Sequence, residues 1–199
     1  TRRCLESLER YTPEPHEVIL VDNGSTDGTR DYLMRYQATH TNVKVIANAT
    51  NRGFAAGNNQ GLAVARGDYL LLLNNDTIVT VGWLTRMLAV FDRYPEVGIV
   101  GPMSNNVSGP QHVADARYRT TAEMQEFAKR WAMNHAGESQ ATFRVVGFCM
   151  LIRREVVERI GGLDEQFGVG NFEDDDYCIR AALARFPARI ARDAFVHHV

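Results

Sequence analysis

Tyr69-Leu70-Leu71-Leu72-Leu73-Asn74-Asn75-Asp76-Thr77 sets five residues without a polar face directly before a polar triplet that ends in a carboxylate. A strand with one face in water alternates apolar and polar side chains, whereas an unbroken apolar run suits a strand buried on both faces. Tyr69 to Leu73 is therefore expected to be a central strand, with Asn74, Asn75 and Asp76 at its carboxyl end. Asn-Asn-Asp-Thr taken alone also suits a plain capped turn.

Outward from this segment the pattern repeats. Val18-Ile19-Leu20-Val21 is a largely β-branched run stopped by Asp22-Asn23-Gly24-Ser25, and Val43 to Ala47 and Val97 to Val100 are two further expected strands. Between them lie a helix capped at Thr26 or Asp27 with Tyr32, Leu33 and Tyr36 inward, and a helix opened by Asn51 to Gly61 and closed by Gly67. A third helix, marked by Trp83, Leu84, Met87, Leu88 and Phe91, stops before Pro95. Strand alternating with helix implies right-handed crossovers and a mainly parallel sheet. Beyond Pro102 come a polar loop over 104–118 and a helix opened by a capping box at Thr120 and Glu123 with Met124, Phe127 and Trp131 on its apolar face. A loop over 134–142, a strand over 144–152, a helix near 153–160, a helix opened by an acid cluster and a last strand running into His197-His198 complete the chain.

The chain has 199 residues, 45% of them hydrophobic, enough for one real core. A net charge of −2 gives no electrostatic footprint for nucleic acid. The longest apolar run falls far short of the ~20 residues of a membrane span. No signal peptide is visible and the first residue is not Met, so an excised domain, part of a larger chain, is expected. Cys4, Cys149 and Cys178 lack metal-type spacing and are expected to be buried free thiols in a reducing compartment.

Glu173-Asp174-Asp175-Asp176 gathers four carboxylates that repel one another, an arrangement that makes sense if one accepts a proton and a cation lies near. In an open parallel sheet ligands bind beyond the carboxyl ends of strands, so Asp22 and Asn74 to Asp76 are expected to face one crevice. The glycines of Arg52-Gly53 to Gly61 weaken a helix start and suggest a ligand against its backbone, with Arg52 available to a phosphate. No P-loop lysine and no G-x-G-x-x-G follow the first strand. Asp76 suits a hard divalent cation, and the pair His197-His198, taken alone, suits solvated terminal residues.

Together these segments resemble the family 2 glycosyltransferases of the GT-A fold, and most closely the bacterial rhamnosyltransferase-type and cell-surface polysaccharide enzymes. Four pieces in order carry the resemblance: Val21-Asp22-Asn23-Gly24-Ser25-Thr26-Asp27-Gly28-Thr29; Asn51 to Gly61 with Gly67-Asp68-Tyr69; Leu73 to Thr77; and Gly161-Gly162-Leu163-Asp164-Glu165 with Phe167 before Glu173-Asp174-x-Asp176. The resemblance implies one α/β domain of Rossmann-like GT-A fold over 1–199, with 1–101 holding a nucleotide-sugar donor and 102–199 the acceptor. It implies inverting, metal-dependent transfer of a sugar from a UDP- or dTDP-linked donor to a glycan or lipid-linked glycan hydroxyl, in the cytoplasm or at the cytoplasmic membrane face. Asp174 is implied as general base. Asp22, Asn23, Gly24, Ser25, Asp27, Arg52, Gly53, Gly57, Asn58, Asn74 and Asn75 are implied on the donor side. Gly147, Phe148, Glu173 and Arg180 are implied on the acceptor side. Asp76 and His198, with His197 as the alternative, are implied as ligands of Mn²⁺ or Mg²⁺. Two departures stand out: Asn74 replaces the acid that many members carry, and the family's usual first strand, which helps hold the base, is missing ahead of Thr1. A sugar nucleotidyltransferase and a non-catalytic nucleotide-sugar-binding domain of the same fold are the alternatives.

Overall fold

The structure, a computed structural model, describes residues 1–168 and 170–199. The first half runs α1 (Arg2–Tyr11), β1 (Val18–Asp22), α2 (Thr29–Thr39), β2 (Val43–Ala47), α3 (Gly53–Val64), β3 (Tyr69–Leu73), β4 (Thr77–Val79), α4 (Trp83–Arg93) and β5 (Ile99–Met103). The second runs α5 (Thr121–Asn134), β6 (Ser139–Thr142), β7 (Cys149–Arg153), α6 (Arg154–Ile160), α7 (Glu173–Leu183) and β8 (Ala188–His198). The capping box opens α5 as expected: Glu123 N–H donates to Thr120 Oγ1 while the Glu123 carboxylate accepts from Thr120 N–H. None of the described helices is long and apolar enough to cross a membrane.

β1 and β2 pair in parallel, and a larger sheet has the order β3-β7-β5-β8-β4 with β6 also on β8. The expectation of a mainly parallel sheet is corrected by this order. Only β1·β2 and β5·β8 are parallel among the described strands; β3·β7, β5·β7, β4·β8 and β6·β8 are antiparallel. The alternation in the first half says nothing about the strand that later inserts itself: β7 arrives from the second half and separates β3 from β5.

Two short strands went unforeseen. No element was expected over Thr77–Val79 and a loop was expected over 134–142, yet Thr77–Val79 and Ser139–Thr142 each become a strand by pairing with β8. The expected strand over 144–152 is shorter, because the stretch from Arg144 to Phe148 bends around the site and only Cys149–Arg153 pairs.

β3 is apolar on both faces for the expected reason. Leu72 packs into a cluster with Ile152, Val156 and Tyr177, while Tyr69, Leu71 and Leu73 pack against one built on Trp83, Met87, Phe91 and Phe148. It is nevertheless not central in its hydrogen bonding. One edge pairs with β7, and the other faces a cavity of about 470 Å³ that β1 lines from the far side, with Cys4, Leu5 and Leu8 of α1. No pairing joins β1 to β3 among the described residues. The gap stands between two strands that both end at the candidate site.

Candidate functional site

At the end of β1, Asp22 is buried, accepting hydrogen bonds from Ser25 N–H at 3.0 Å and from Arg30 Nε at 2.7 Å. Gly24 takes φ +81°, and a Cβ there would lie 2.9 Å from the Thr50 carbonyl carbon, so the turn admits only glycine. Asn23 binds the neighbouring loop through both ends of its amide, donating to Gly53 O at 2.9 Å and accepting from Asn48 Nδ2 at 2.9 Å. Gly57 leaves room for Asn23, which would sit 3.1 Å from an added Cβ. The α3 glycine at 57 thus serves helix-to-turn packing. Asn58 donates back to Phe54 O and lines the inter-strand cavity. Ser25, Asp27 and Arg52 are exposed on the same side of the turn, with Asp27 Oδ1 accepting from Thr29 N–H at 3.1 Å and Gly28, not Thr26 or Asp27, standing at the N-cap of α2.

The Asp22 carboxyl lies below its ordinary range: burial pushes it up, but the hydrogen bonds from Ser25 and Arg30 outweigh burial. A depressed folded pKa stabilises the fold above the unfolded value of ~3.9 and ceases to do so as pH falls through the folded value. Asp22→Asn is therefore expected to cost roughly 1–3 kcal/mol at pH 7. The gap from the parent chain should close below about pH 4, measured by urea unfolding at both pH values.

At the end of β3, Asn74 N–H donates to Phe148 O at 2.8 Å, which ties the polar triplet to the residue before β7. Asn75 is exposed and donates to Thr1 Oγ1. Asp76 Oδ1 lies 3.3 Å from His198 Nε2, and Asn74 Nδ2 lies 3.5 Å from the same nitrogen. The register of β4 on β8, with Thr77 opposite His198, forces this meeting. It also resolves the two histidines. His197 turns to the other face, 2.6 Å from the Tyr118 hydroxyl, and burial with the neighbouring His198 holds its pKa below the ordinary range.

The donor chemistry of the pair fits a divalent cation. His198 Nδ1 is 2.9 Å from Asn106 O, an acceptor only, so Nδ1 carries a proton and Nε2 is the ring nitrogen turned toward Asp76. Among the described residues no group of three His, Cys, Asp or Glu side chains is arranged for a metal. Two protein ligands, with positions left for ligand oxygens, is the set available.

Gly147 and Phe148 bridge this pair to the acid cluster. Gly147 N–H donates to Asp174 Oδ2 at 2.8 Å, and the Phe148 ring stacks on His198 at 5.0 Å. A Cβ at Gly147 would lie 3.2 Å from the Phe54 ring and 3.4 Å from Asp174 Cβ, so this position is crowded from both sides. The four acids are not left to repel one another. Asp174 is buried and its Oδ1 accepts from Asp175 N–H at 2.9 Å. Arg144 pairs with Asp175 at 2.7 Å and Arg180 with Asp176 at 2.7 Å. Burial lifts the Asp175 carboxyl above its ordinary range, with Arg144 opposing and Asp174 adding to the rise. Arg180 also donates to Ile160 O and Gly162 O, which makes it a clamp between α7 and the turn after α6. Glu173 is buried, with Oε2 lacking a hydrogen-bond partner among the described residues and Oε1 3.9 Å from where a Cβ at Gly170 would lie.

A chain of contacts thus runs Asp22–Asn23–Gly53–Phe54–Gly147–Asp174 on one side and Gly147–Phe148–His198–Asp76 on the other. Sequence reasoning missed Phe54, which joins the two halves, and Asn105 and Asn106, which meet His198 from the loop after β5. For Phe54 the signal was its place directly after Gly53; the asparagines sit in a polar loop with no local signal.

Residues 1–161 match the family described as Glycosyl transferase family 2. The N-acetylglucosaminyl-diphospho-decaprenol L-rhamnosyltransferase of Mycobacterium tuberculosis is 26% identical over 189 residues, 83% of this chain and 61% of that protein. Among solved structures, GalNAc-T7 with UDP, GalNAc and Mn²⁺ superposes with a TM-score of 0.75 at 16% identity, covering 98% of this chain and 39% of the other. The mannosyltransferase PcManGT of Pyrobaculum calidifontis, in complex with GDP-Man and Mn²⁺, gives 0.71 at 21% identity, covering 99% and 52%. The chain therefore spans under two thirds of the length of each of these proteins, and it shares the GT-A fold of the two solved ones. With 161 of its 199 residues matched, this chain belongs to glycosyl transferase family 2.

Proposed function

We propose that this domain transfers a hexose or deoxyhexose from a nucleoside diphosphate, UDP- or dTDP-linked, to a hydroxyl of a glycan or lipid-linked glycan, with inversion at the anomeric carbon. The observation that carries this reading is the Gly147-Phe148 bridge, where one dipeptide touches both the buried carboxylate Asp174 and the Asp76–His198 pair. Asp76 and His198 would hold Mn²⁺ or Mg²⁺, and such an ion, when bound, offsets the charge of a departing diphosphate. The donor's nucleotide would lie along the Asp22-Asn23-Gly24-Ser25 turn, which Asp22 holds in shape, with Arg52 at the phosphates and Asn74 and Asn75 beside them.

Asp174 takes the acceptor hydroxyl's proton as that oxygen bonds to the anomeric carbon and the carbon–oxygen bond to the diphosphate breaks. Its two oxygens each accept one backbone N–H and keep a further lone pair for that proton. Direct displacement needs one base and no enzymic nucleophile, unlike the paired carboxylates of most glycosidases. Glu173, whose Oε2 has no hydrogen-bond partner among the described residues, would meet an acceptor hydroxyl, and Phe148 and Gly147 would form the floor between the two substrates. A cytoplasmic setting, at the membrane face for a lipid-linked acceptor, suits the three free buried thiols.

The test is a panel of UDP-, dTDP- and GDP-linked sugars assayed for donor cleavage with Mn²⁺, with Mg²⁺ and with EDTA. Metal-dependent release of the nucleoside diphosphate is expected. Asp76→Ala should weaken donor affinity in the presence of metal by roughly tenfold or more, read by calorimetry. Donor affinity that is equal with and without metal, or unchanged in the variant, would remove Asp76 from its role.

A further inference from the structure

Asn105 follows β5 in a polar loop, yet it makes a two-way clamp on the last turn of backbone before the chain reaches Val199. Its Nδ2 donates to His198 O at 2.8 Å and its Oδ1 accepts from His198 N–H at 3.0 Å, the pairing that one strand residue makes with another. This fixes which end of the amide is which. Oδ1 also lies 2.8 Å from His197 Nδ1, which donates to it. The next residue completes the arrangement: Asn106 O receives His198 Nδ1–H at 2.9 Å, and Asn106 Nδ2 donates to Val199 O at 3.1 Å. β8 does not need this clamp to exist, because β4 and β5 already flank it in the sheet. What the clamp adds is the position of one imidazole, with Phe148 stacked on its face.

We infer that Asn105 is a positioning residue for His198: it locks the loop to the strand so that the Asn106 carbonyl holds a proton on Nδ1 and Nε2 is the nitrogen turned toward Asp76. The inference rests on the proposed cation pair for its purpose, though not for its first measurement. Which ring nitrogen can meet a cation is set by the hydrogen bond that the other one makes, so the orientation of this ring is a property the loop imposes.

The test uses the whole chain without metal. Nitrogen-15 NMR of the histidine rings should show His198 Nδ1 protonated in the parent protein, and Asn105→Ala should let a form with Nδ1 bare appear. Mn²⁺ affinity, read by electron paramagnetic resonance, should fall about 10–100-fold in Asn105→Ala. It should fall no further when Asn105→Ala is added to His198→Ala. If Asn105→Ala unfolds, Asn105→Ser keeps an acceptor for the His198 N–H and should give a smaller change of the same sign in both readouts. An unchanged tautomer, or an equal loss of Mn²⁺ affinity in the His198→Ala background, would overturn the inference. A parent protein whose Mn²⁺ affinity is indifferent to His198→Ala would instead refute the cation pair, while the tautomer still decides the role of Asn105.

Discussion

Asp174→Asn is expected to lower turnover by about 10²–10⁴, the usual contribution of a positioned base, while donor affinity changes little. The substitution keeps the shape of the side chain and removes its capacity to take a proton. One structural cost must be separated from the chemical one. Asp174 accepts from both Gly147 N–H and Asp175 N–H, and an amide has a single oxygen, so one of those donors loses its acceptor at a cost of about 1–3 kcal/mol. Steady-state rates at saturating acceptor, donor titrations and a thermal melt on the same preparation distinguish the effects. Turnover equal to that of the parent chain would remove Asp174 from the role of base.

Trp83→Ala should be the most damaging change to stability, about 3–5 kcal/mol, with Tm lowered by roughly 6–20 °C for a chain of this size. Trp83 is fully buried at the start of α4, packs among Met87, Phe91, Phe148 and Val196, and donates from its indole N–H to Thr12 Oγ1 at 3.2 Å. It also lines the 470 Å³ cavity between β1 and β3, so the space it vacates would merge with an existing void instead of collapsing. Trp83→Phe keeps most of the ring and loses the hydrogen bond, and should cost markedly less. Urea unfolding measures both. A loss below about 1 kcal/mol for the alanine variant would mean that the wall around that cavity yields, contrary to the packing described.

Local patterns made most of the strands, the helices and the capping box at Thr120 legible, because hydrophobic period and cap chemistry are written within a few residues. Pairing partners were not, because β7 and β8 acquire theirs from distant segments, as far apart as Thr77 and His198. β3 shows the difference well. Its apolar run correctly announced burial on two faces but could not announce that one edge borders a cavity. In the site, the acid cluster and the Asp76 triplet stood out as unusual composition. Asp22 stood out too, though its carboxylate proved to be occupied by Ser25 and Arg30. The α3 glycines were read as room for a ligand, whereas Gly57 makes room for Asn23. His198 could be separated from His197 only by the register of β4 against β8.

The meeting of Asp174 and the Asp76–His198 pair at Gly147-Phe148 is tested most directly by paramagnetic broadening of backbone amides on adding Mn²⁺ with a nucleoside diphosphate. The amides of Asp76, Phe148, His198 and Gly147 should broaden first, followed by those of Phe54 and Asp174, while Arg93 and Gly137 at the far pocket keep their intensity. Broadening centred elsewhere, with Gly147 and His198 untouched, would contradict the site described.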